Sequence, residues 1–86
     1  MVNIDIVLDS FFDIYKLCRA PVIVVCQNTS DYPDKFVARL WTIHNKPTKY
    51  VMVKDSLKGI RDNIPLTMCR FERSPQDDPV IIESWL

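Results

Sequence analysis

The fold is decided by the stretch 36–53, FVARLWTIHNKPTKYVMV. Residues 36–43 and 50–53 are rich in β-branched and aromatic side chains, which favour a pleated and partly buried strand. The residues between them, 44–49, are polar apart from Pro47 and indicate a turn. The stretch therefore predicts two strands that are joined as an antiparallel hairpin.

More strands are predicted on both sides of this hairpin. Residues 22–26, VIVVC, form an unbroken apolar run that is typical of a buried strand. Residues 66–72 and 80–86 are predicted to be the fourth and the closing strands. Between the hairpin and these strands, residues 55–64 carry apolar side chains at helical spacing and predict a short helix that ends at Pro65.

The N-terminal segment, 3–19, is predicted to be an amphipathic helix that ends before Pro21. At about 100° per residue, four charged side chains share one stripe that is roughly 80° wide, namely Asp5, Asp9, Asp13 and Lys16. Its apolar side chains fill an arc of roughly 240°, which is much wider than the apolar stripe of an ordinary surface helix. One face of a small sheet cannot easily cover that much apolar surface.

Together these segments predict an α+β fold with the element order αβββαββ in a single domain, 1–86. The N-terminal helix occupies residues 1–20 in this prediction. Residues 22–86 form the sheet unit, in which the second short helix packs against a single, mostly antiparallel sheet of four or five strands. A chain this short buries only about two-thirds of its unfolded surface, so self-association is a common source of added stability.

The charge and the cysteine content narrow the function classes. The 11 basic and 11 acidic residues give a formal net charge of zero, so nonspecific binding to nucleic acid is not expected. Cys18, Cys26 and Cys69 match no zinc or redox spacing, which predicts reduced thiols in a cytoplasmic protein. The sequence has no signal-peptide pattern and no apolar run long enough to span a membrane, so no membrane partner is expected.

The residue types that carry common catalytic sites are scarce. The single glycine, Gly59, excludes the glycine-rich loops that hold phosphates. The single histidine, His44, lies in the predicted turn, and no cysteine pair has metal-ligand spacing. Neither a histidine-assisted nucleophile nor a zinc site is therefore predicted. We expect no enzyme activity, no cofactor and no metal.

Two charged regions support alternative functions. The stretch 44–61 has five basic residues against one acidic residue. It could contact nucleic acid or an acidic protein, although solvated surface is the simpler interpretation. The second region consists of Arg70, Arg73, Asp77 and Asp78. These charges suit small-molecule binding if a pocket converges on them, and the adjacent aspartates suit either a polar turn or a hard cation.

The wide apolar arc of the predicted N-terminal helix leads to the main functional hypothesis. In one interpretation, this helix lies in the core between the sheet, the second helix and the loops. In the other, Phe11, Phe12 and Tyr15 are covered by a second copy of the chain or by another protein, since large exposed apolar patches mark interaction sites. The sequence therefore predicts a non-enzymatic protein-binding module that is able to form a homodimer. The candidate partner contacts are Phe11, Phe12, Tyr15, Trp41, Asp77, Asp78 and Trp85.

Three stretches resemble small uncharacterised proteins of bacteria and their phages. They are 32–41, YPDKFVARLW, then 55–61, DSLKGIR, and 77–85, DDPVIIESW. The resemblance spans residues 22–86, so the N-terminal helix is an addition to the shared part. It implies a bacterial or phage cytosolic setting and no catalytic residue. One form of the hypothesis is then a phage-type accessory protein that inhibits a host protein by direct contact.

Overall fold

The structure is a computed structural model, and it describes residues 5–44, 46–75 and 79–86. Within these residues, no helix is long and apolar enough to cross a membrane. In chain order, the strands and helices are β1 (Ile6–Val7), α1 (Ile14–Leu17), β2 (Val22–Gln27), β3 (Phe36–Trp41), β4 (Pro47–Lys54), α2 (Leu57–Arg61), β5 (Arg70–Glu72) and β6 (Ile81–Trp85).

The described strands form one mixed sheet in the order β1-β4-β3-β2-β6-β5. β1 runs parallel to β4, and every other neighbouring pair is antiparallel. The α+β class is therefore confirmed, and so is the antiparallel hairpin, which β3 and β4 form. The predicted number of four or five strands is wrong, because the sheet has six. The predicted order αβββαββ is also wrong, since the described elements follow the order βαβββαββ.

The predicted N-terminal helix is wrong, because the chain there forms β1, a turn and the four-residue helix α1. Backbone amides of this segment bond to distant parts of the chain. The Leu8 amide donates to the Val51 carbonyl at 2.7 Å, and the Phe11 amide donates to the Asn63 carbonyl at 2.8 Å. A continuous helix would use these amides for its own hydrogen bonds, so the two arrangements exclude each other. Pairing with β4 has overridden the local helical pattern.

The hydrophobic core lies between one face of the sheet and the two helices. Side chains alternate between the two faces along a strand, so every second residue of β2 and β3 points to the helices. Phe11 and Ile14 are fully buried against this face, which places the N-terminal segment in the same core as the rest of the chain. The core cluster consists of Phe11, Ile14, Ile23, Val25, Ala38, Leu40, Met52, Ile60, Ile64 and Met68.

The helix α2 is shorter than the predicted 55–64, and two side chains set its ends. The Ser56 hydroxyl accepts a hydrogen bond from the Gly59 amide at 3.0 Å, which satisfies one of the amides that a helix leaves unpaired at its start. The Asn63 side-chain amide donates to the Gly59 carbonyl at 2.7 Å. In a longer helix that carbonyl would accept the backbone amide of Asn63, so the side chain takes the place of the next helical hydrogen bond.

The strand β5 is also shorter than the predicted 66–72. The Met68 amide donates to the Pro65 carbonyl at 3.1 Å, and this bond closes a turn within the segment between α2 and β5. The extended backbone therefore begins only after this turn, and it pairs with β6 over three residues. This short pairing makes β5 the last strand at one edge of the sheet.

Candidate functional site

The face of the sheet opposite the helices forms the first candidate site. Val24 of β2 lies opposite Arg39 of β3 on one side and opposite Ser84 of β6 on the other. Ser84 in turn lies opposite Phe71 of β5. Directly opposed residues share a face, so these side chains form a row across the sheet. The neighbouring core residue Val25 points the other way, so this row faces away from the helices.

A second row on the same face lies beside the first. Trp41 is opposite Val22, and Leu86 exchanges two backbone hydrogen bonds with Cys69, at 2.8 and 3.0 Å. Trp41 and Val22 are half-buried, whereas Phe71 and Leu86 are 53% and 54% exposed. We call this surface the open face, and it consists of Val22, Val24, Trp41, Phe71, Ser84 and Leu86.

A polar network covers the β4 side of the same face. The loop between β2 and β3 carries Tyr32, whose hydroxyl donates to the Asp5 carboxylate at 2.9 Å. The Arg39 guanidinium donates to both oxygens of that carboxylate, at 3.0 and 3.1 Å, and to the Thr48 carbonyl at 2.8 Å. Val51, which lies opposite Arg39, is fully buried. The open face therefore has a closed border on one side, which we call the Asp5 network (Asp5, Tyr32 and Arg39).

The Asp5 network carries a stable ion pair. The hydrogen bond from Arg39 holds the pKa of Asp5 below its usual value, against the opposing effect of burial, and the bond from Tyr32 adds to the lowering. Burial, together with the hydrogen bond to Asp5, raises the pKa of Tyr32. Both shifts favour an ionised aspartate beside a protonated tyrosine. The border of the open face is thus polar but has no net charge at neutral pH.

A cleft of about 410 Å³ forms a second candidate site, next to α2 and the β5–β6 edge. Pro79, Ile81 and Ile82 supply part of its wall. Its charged lining residues are Arg61, Arg70, Glu72, Arg73 and Glu83. Among residues 5–44, 46–75 and 79–86, three guanidinium groups and two carboxylates therefore line this cleft.

Glu83 is the fully buried centre of this charged lining. Arg61 donates two hydrogen bonds to its carboxylate, at 2.6 and 3.3 Å, and the Trp85 indole N–H donates a third at 2.7 Å. The Arg70 guanidinium lies 3.7 Å from the same carboxylate. Burial acts to raise the pKa of Glu83, but the hydrogen bonds from Arg61 and Trp85 and the two positive charges outweigh it, so the pKa is lowered overall. A buried carboxylate with such partners stays ionised.

The lowered pKa of Glu83 predicts a specific pH dependence of stability. A carboxylate whose pKa is lower in the folded state contributes stability above the pKa of the unfolded chain, and this contribution is lost as the pH falls through the folded value. We expect the free energy of unfolding to fall more steeply below about pH 5 in the wild type than in Glu83→Gln. Urea unfolding of both proteins at a series of pH values measures this difference. Parallel pH profiles would contradict the assignment.

The chemistry that the cleft offers depends on its arginine side chains. Over residues 5–44, 46–75 and 79–86, no group of three or more His, Cys, Asp or Glu side chains is placed to hold a metal ion. Arginine side chains have a planar fork of N–H donors that matches carboxylates and phosphates. The donors of Arg61 are directed to Glu83, whereas the contact from Arg70 to that carboxylate is longer, at 3.7 Å.

The predicted helix contacts separate into buried and exposed residues. Phe11 is fully buried in the core, so it is not available at the surface of the folded chain. Phe12 and Tyr15 are 54% and 52% exposed, and Leu17 is exposed as well. These three residues, Phe12, Tyr15 and Leu17, form a small apolar surface around α1 that we call the helix patch. It lies on the opposite side of the sheet from the open face.

The two predicted tryptophan contacts lie on opposite faces of the sheet. Trp41 belongs to the open face, where it lies opposite Val22. Trp85 lies opposite Ile23, a core residue, and its indole N–H is bonded to Glu83. The structure thus gives Trp85 an internal role beside a buried carboxylate and leaves Trp41 on the face opposite the two described helices.

The predicted charged cluster is described only in part. Arg70 and Arg73 both line the cleft. Asp77 and Asp78 lie outside the described residues. The arginine half of the predicted cluster is therefore joined in space to a residue that the sequence did not suggest, Glu83.

The basic stretch 44–61 is partly neutralised by ion pairs. Lys58 pairs with Asp62 at 2.6 Å, one helical turn away. Arg61 pairs with Glu83 at 2.6 Å. The positive charge that this stretch offers to a phosphate backbone is therefore smaller than its composition indicates.

Two groups of polar residues were missed by the sequence reasoning. Glu83 sits in the strand sequence IIESW, and only its alternation with Trp85 hints that it faces the covered side of the sheet. Asp5 and Arg39 lie 34 positions apart, and a single sequence offers no signal that would pair them. In both cases the partner lies far away in sequence and is brought close by the fold: Arg61 of α2 reaches Glu83, and Arg39 of β3 reaches Asp5.

Comparison with known proteins gives no relative. No protein-family model, no curated protein and no solved structure matches the chain.

Proposed function

We propose that the protein is a non-enzymatic protein-binding module that docks its partner on the open face. The observation that carries the proposal is an apolar sheet face that no described helix covers. Both helices pack on the other face, through Ile14 and Ile60. A solvated face of an antiparallel sheet usually carries polar side chains, but here Val24, Trp41 and Phe71 occupy it. Contiguous exposed apolar surface marks an interaction site.

The position of the open face in the sheet also supports this proposal. Apart from Leu86, which directly follows β6, its residues come from β2, β3, β5 and β6, and each of these strands except β5 is paired on both sides. A surface built on paired strands loses little conformational freedom on binding, which favours affinity. Trp41 and Phe71 add the large aromatic side chains that dominate the energy of protein interfaces. The helix patch, in contrast, sits on and beside a helix of four residues.

The chemistry of the open face defines the kind of partner. Val22, Val24, Trp41 and Leu86 offer apolar contacts, and the Asp5 network at the border has no net charge. We therefore infer a partner whose docking surface is apolar rather than strongly charged. The resemblance to bacterial and phage proteins extends this proposal to a host protein as the partner, which the chain would inhibit by contact.

Capture of proteins from bacterial lysate, compared between variants, tests the proposal. We expect the wild type to recover a partner in stoichiometric amount and Trp41→Thr to recover at least about tenfold less of it, as is typical of an aromatic hot spot. Phe12→Thr is the matched control, because it removes an aromatic side chain of the helix patch, 54% exposed, from the other side of the sheet. This control should recover the partner as the wild type does.

The same experiment has outcomes that contradict the proposal. Equal recovery by the wild type and by Trp41→Thr would exclude the open face as the docking surface. Loss of recovery in Phe12→Thr alone would transfer the site to the helix patch. Circular dichroism and urea unfolding of both variants show whether each of them is folded, so that a folding defect is not mistaken for a binding defect.

A second candidate function is the binding of a small oxyanion in the cleft. The observation that favours it is the convergence of Arg61, Arg70 and Arg73 on one cavity of about 410 Å³. Inorganic phosphate and acetate, titrated against the protein by NMR, probe the shared oxyanion chemistry. Shifts of the Arg61 and Arg73 side chains that saturate with added ligand and that vanish in Arg70→Gln support this function. Shifts of these two side chains that rise linearly with ligand concentration and are equal in the variant contradict it.

A further inference from the structure

We propose that the β5 edge binds a second copy of this chain, strand against antiparallel strand, with Phe71 at the two-fold axis. This inference rests on the proposed function, since it extends the open face across two chains. β5 is the last strand of the described sheet on its side, and all three of its residues are exposed. Strand edges with unpaired backbone groups are templates for pairing with another chain.

The backbone of β5 presents its free hydrogen-bonding groups in the right register. Cys69 and Leu86 exchange both of their backbone hydrogen bonds, so they are a hydrogen-bonded pair of the β5–β6 ladder. Such pairs alternate with non-hydrogen-bonded pairs along antiparallel strands. Phe71 is therefore also bonded to β6, whereas the N–H and C=O groups of Arg70 and Glu72 point away from β6, toward the free edge.

This alternation fixes how two copies fit together. If Phe71 is placed opposite the partner's Phe71, then Arg70 lies opposite the partner's Glu72, and Glu72 lies opposite Arg70 of the partner subunit. The residues with outward backbone groups then face each other and exchange their N–H···O=C bonds in two hydrogen-bonded pairs. The Phe71 pair becomes a non-hydrogen-bonded pair, which is the type with the closest side chains.

The side-chain charges are complementary in the same register. Arg70 and Glu72 carry opposite charges at equal distances from the central Phe71, so the two-fold axis pairs each arginine with a glutamate. Opposite charges at directly opposed positions stabilise a strand pair, and like charges destabilise it. The Glu72 carboxylate has no ion pair within the described residues, and the partner's Arg70 would supply one.

Short edge strands with charged residues can also serve to prevent pairing. Charged residues prevent the pairing of two identical edges when the charges have the same sign, as in a row of lysines, because the edges then repel each other. Around Phe71 the charges are of opposite sign, so an identical edge attracts instead of repelling. Phe71, 53% exposed, adds an apolar contact at the centre. The edge therefore selects a second copy of the chain rather than rejecting it.

The pairing has a consequence for the open face. A two-fold axis at Phe71 that is perpendicular to the sheet keeps the open faces of both copies on the same side. The two sheets become one, and the apolar surface around Trp41 and Phe71 doubles in area. The interface is small, so a weak dimer that depends on protein concentration is expected.

Charge-swap variants test this register directly. Analytical ultracentrifugation over a series of protein concentrations should give a monomer–dimer equilibrium for the wild type. Glu72→Arg alone places like charges opposite each other in both pairs, and so does Arg70→Glu alone. We expect the dissociation constant of the dimer to be at least about tenfold higher for each single variant than for the wild type. An equimolar mixture of the two variants restores both opposite-charge pairs, so it should form a heterodimer at least as readily as the wild type dimerises.

Controls and contrary outcomes separate this inference from the proposed function. Asp9→Arg and Lys49→Glu change exposed charges away from β5 and should dimerise as the wild type does. A wild type that stays monomeric at millimolar concentration overturns the edge pairing. This outcome leaves the proposed docking of a partner on the open face untouched, because the capture experiment with Trp41→Thr tests that function separately. A dimer that tolerates Glu72→Arg, or a mixture that stays monomeric, overturns the register. If Arg70→Glu does not fold, Phe71→Asp replaces it and should abolish the dimer.

Discussion

Replacement of Phe11 by alanine is expected to lower the free energy of unfolding by about 3–5 kcal/mol. Phe11 is fully buried and belongs to the core cluster, so the substitution removes an aromatic ring and leaves a cavity. The backbone on either side is held by the bonds from Leu8 and Phe11 to distant carbonyls, which limits how far the chain can collapse into that cavity. Urea or thermal unfolding of Phe11→Ala measures the loss.

The adjacent residue gives the matched control for this prediction. Phe12 is 54% exposed, and Phe12→Ala should change the free energy of unfolding by less than about 1 kcal/mol. A large difference between two neighbouring phenylalanines supports the short strand, turn and helix of the N-terminal segment. Equal and small effects of the two substitutions would mean that this segment is not part of the core.

Replacement of Glu83 by alanine is expected to lower the free energy of unfolding by about 2–4 kcal/mol. The substitution removes the acceptor of three hydrogen bonds, two from Arg61 and one from Trp85. The Trp85 N–H loses its partner, and the guanidinium groups of Arg61 and Arg70 lose their counter-charge. Both arginine side chains are 42% exposed, so water can compensate them in part, which keeps the effect below that of a fully buried pair.

Glu72 provides the matched control for Glu83, because it carries the same negative charge at the opposed position of the neighbouring strand. It lies directly opposite Glu83 on the edge strand and is exposed. Glu72→Ala should change the free energy of unfolding by no more than about 0.5 kcal/mol. Two neighbouring glutamates with such different effects would confirm that stability depends on the buried hydrogen bonds rather than on the local charge. A Glu83→Ala variant as stable as Glu72→Ala would refute that role.

The hairpin of β3 and β4 could be predicted because the residues that determine it are adjacent in the sequence. The apolar runs 36–43 and 50–53 and the polar segment between them carry the strand and turn preferences in adjacent residues. The observed turn is shorter than predicted, because β4 already begins at Pro47, opposite Trp41. A proline is tolerated as the first residue of a strand, where its missing N–H costs little.

The N-terminal segment could not be predicted because its structure depends on distant partners. The spacing of Asp5, Asp9 and Asp13 fits one stripe of a helix, and the apolar residues between them fit the rest. The same residues also fit a short strand, a turn and a single helical turn. The choice is made by Val51 and Asn63, whose carbonyls accept the amides of this segment, and by Arg39, which binds Asp5.

The candidate sites show the same division between local and distant information. Phe12 and Tyr15 are exposed, whereas Phe11, which the sequence pattern groups with them on one helix, is fully buried. The open face, in contrast, arises because both helices pack on one side of the sheet, which leaves Val24 and Trp41 on the other. Strand order and helix placement are properties of the whole chain, so a single sequence gives no direct sign of this surface.

Side-chain oxidation footprinting of the free chain and of the complex captured from bacterial lysate tests the central claim most directly. The method compares the solvent exposure of individual aromatic side chains in the two states. We predict that Trp41 and Phe71 become protected in the complex, whereas Phe12 and Tyr15 keep the reactivity that they have in the free chain. Protection of Phe12 and Tyr15 with unchanged Trp41 and Phe71 would contradict the claim that the partner docks on the open face.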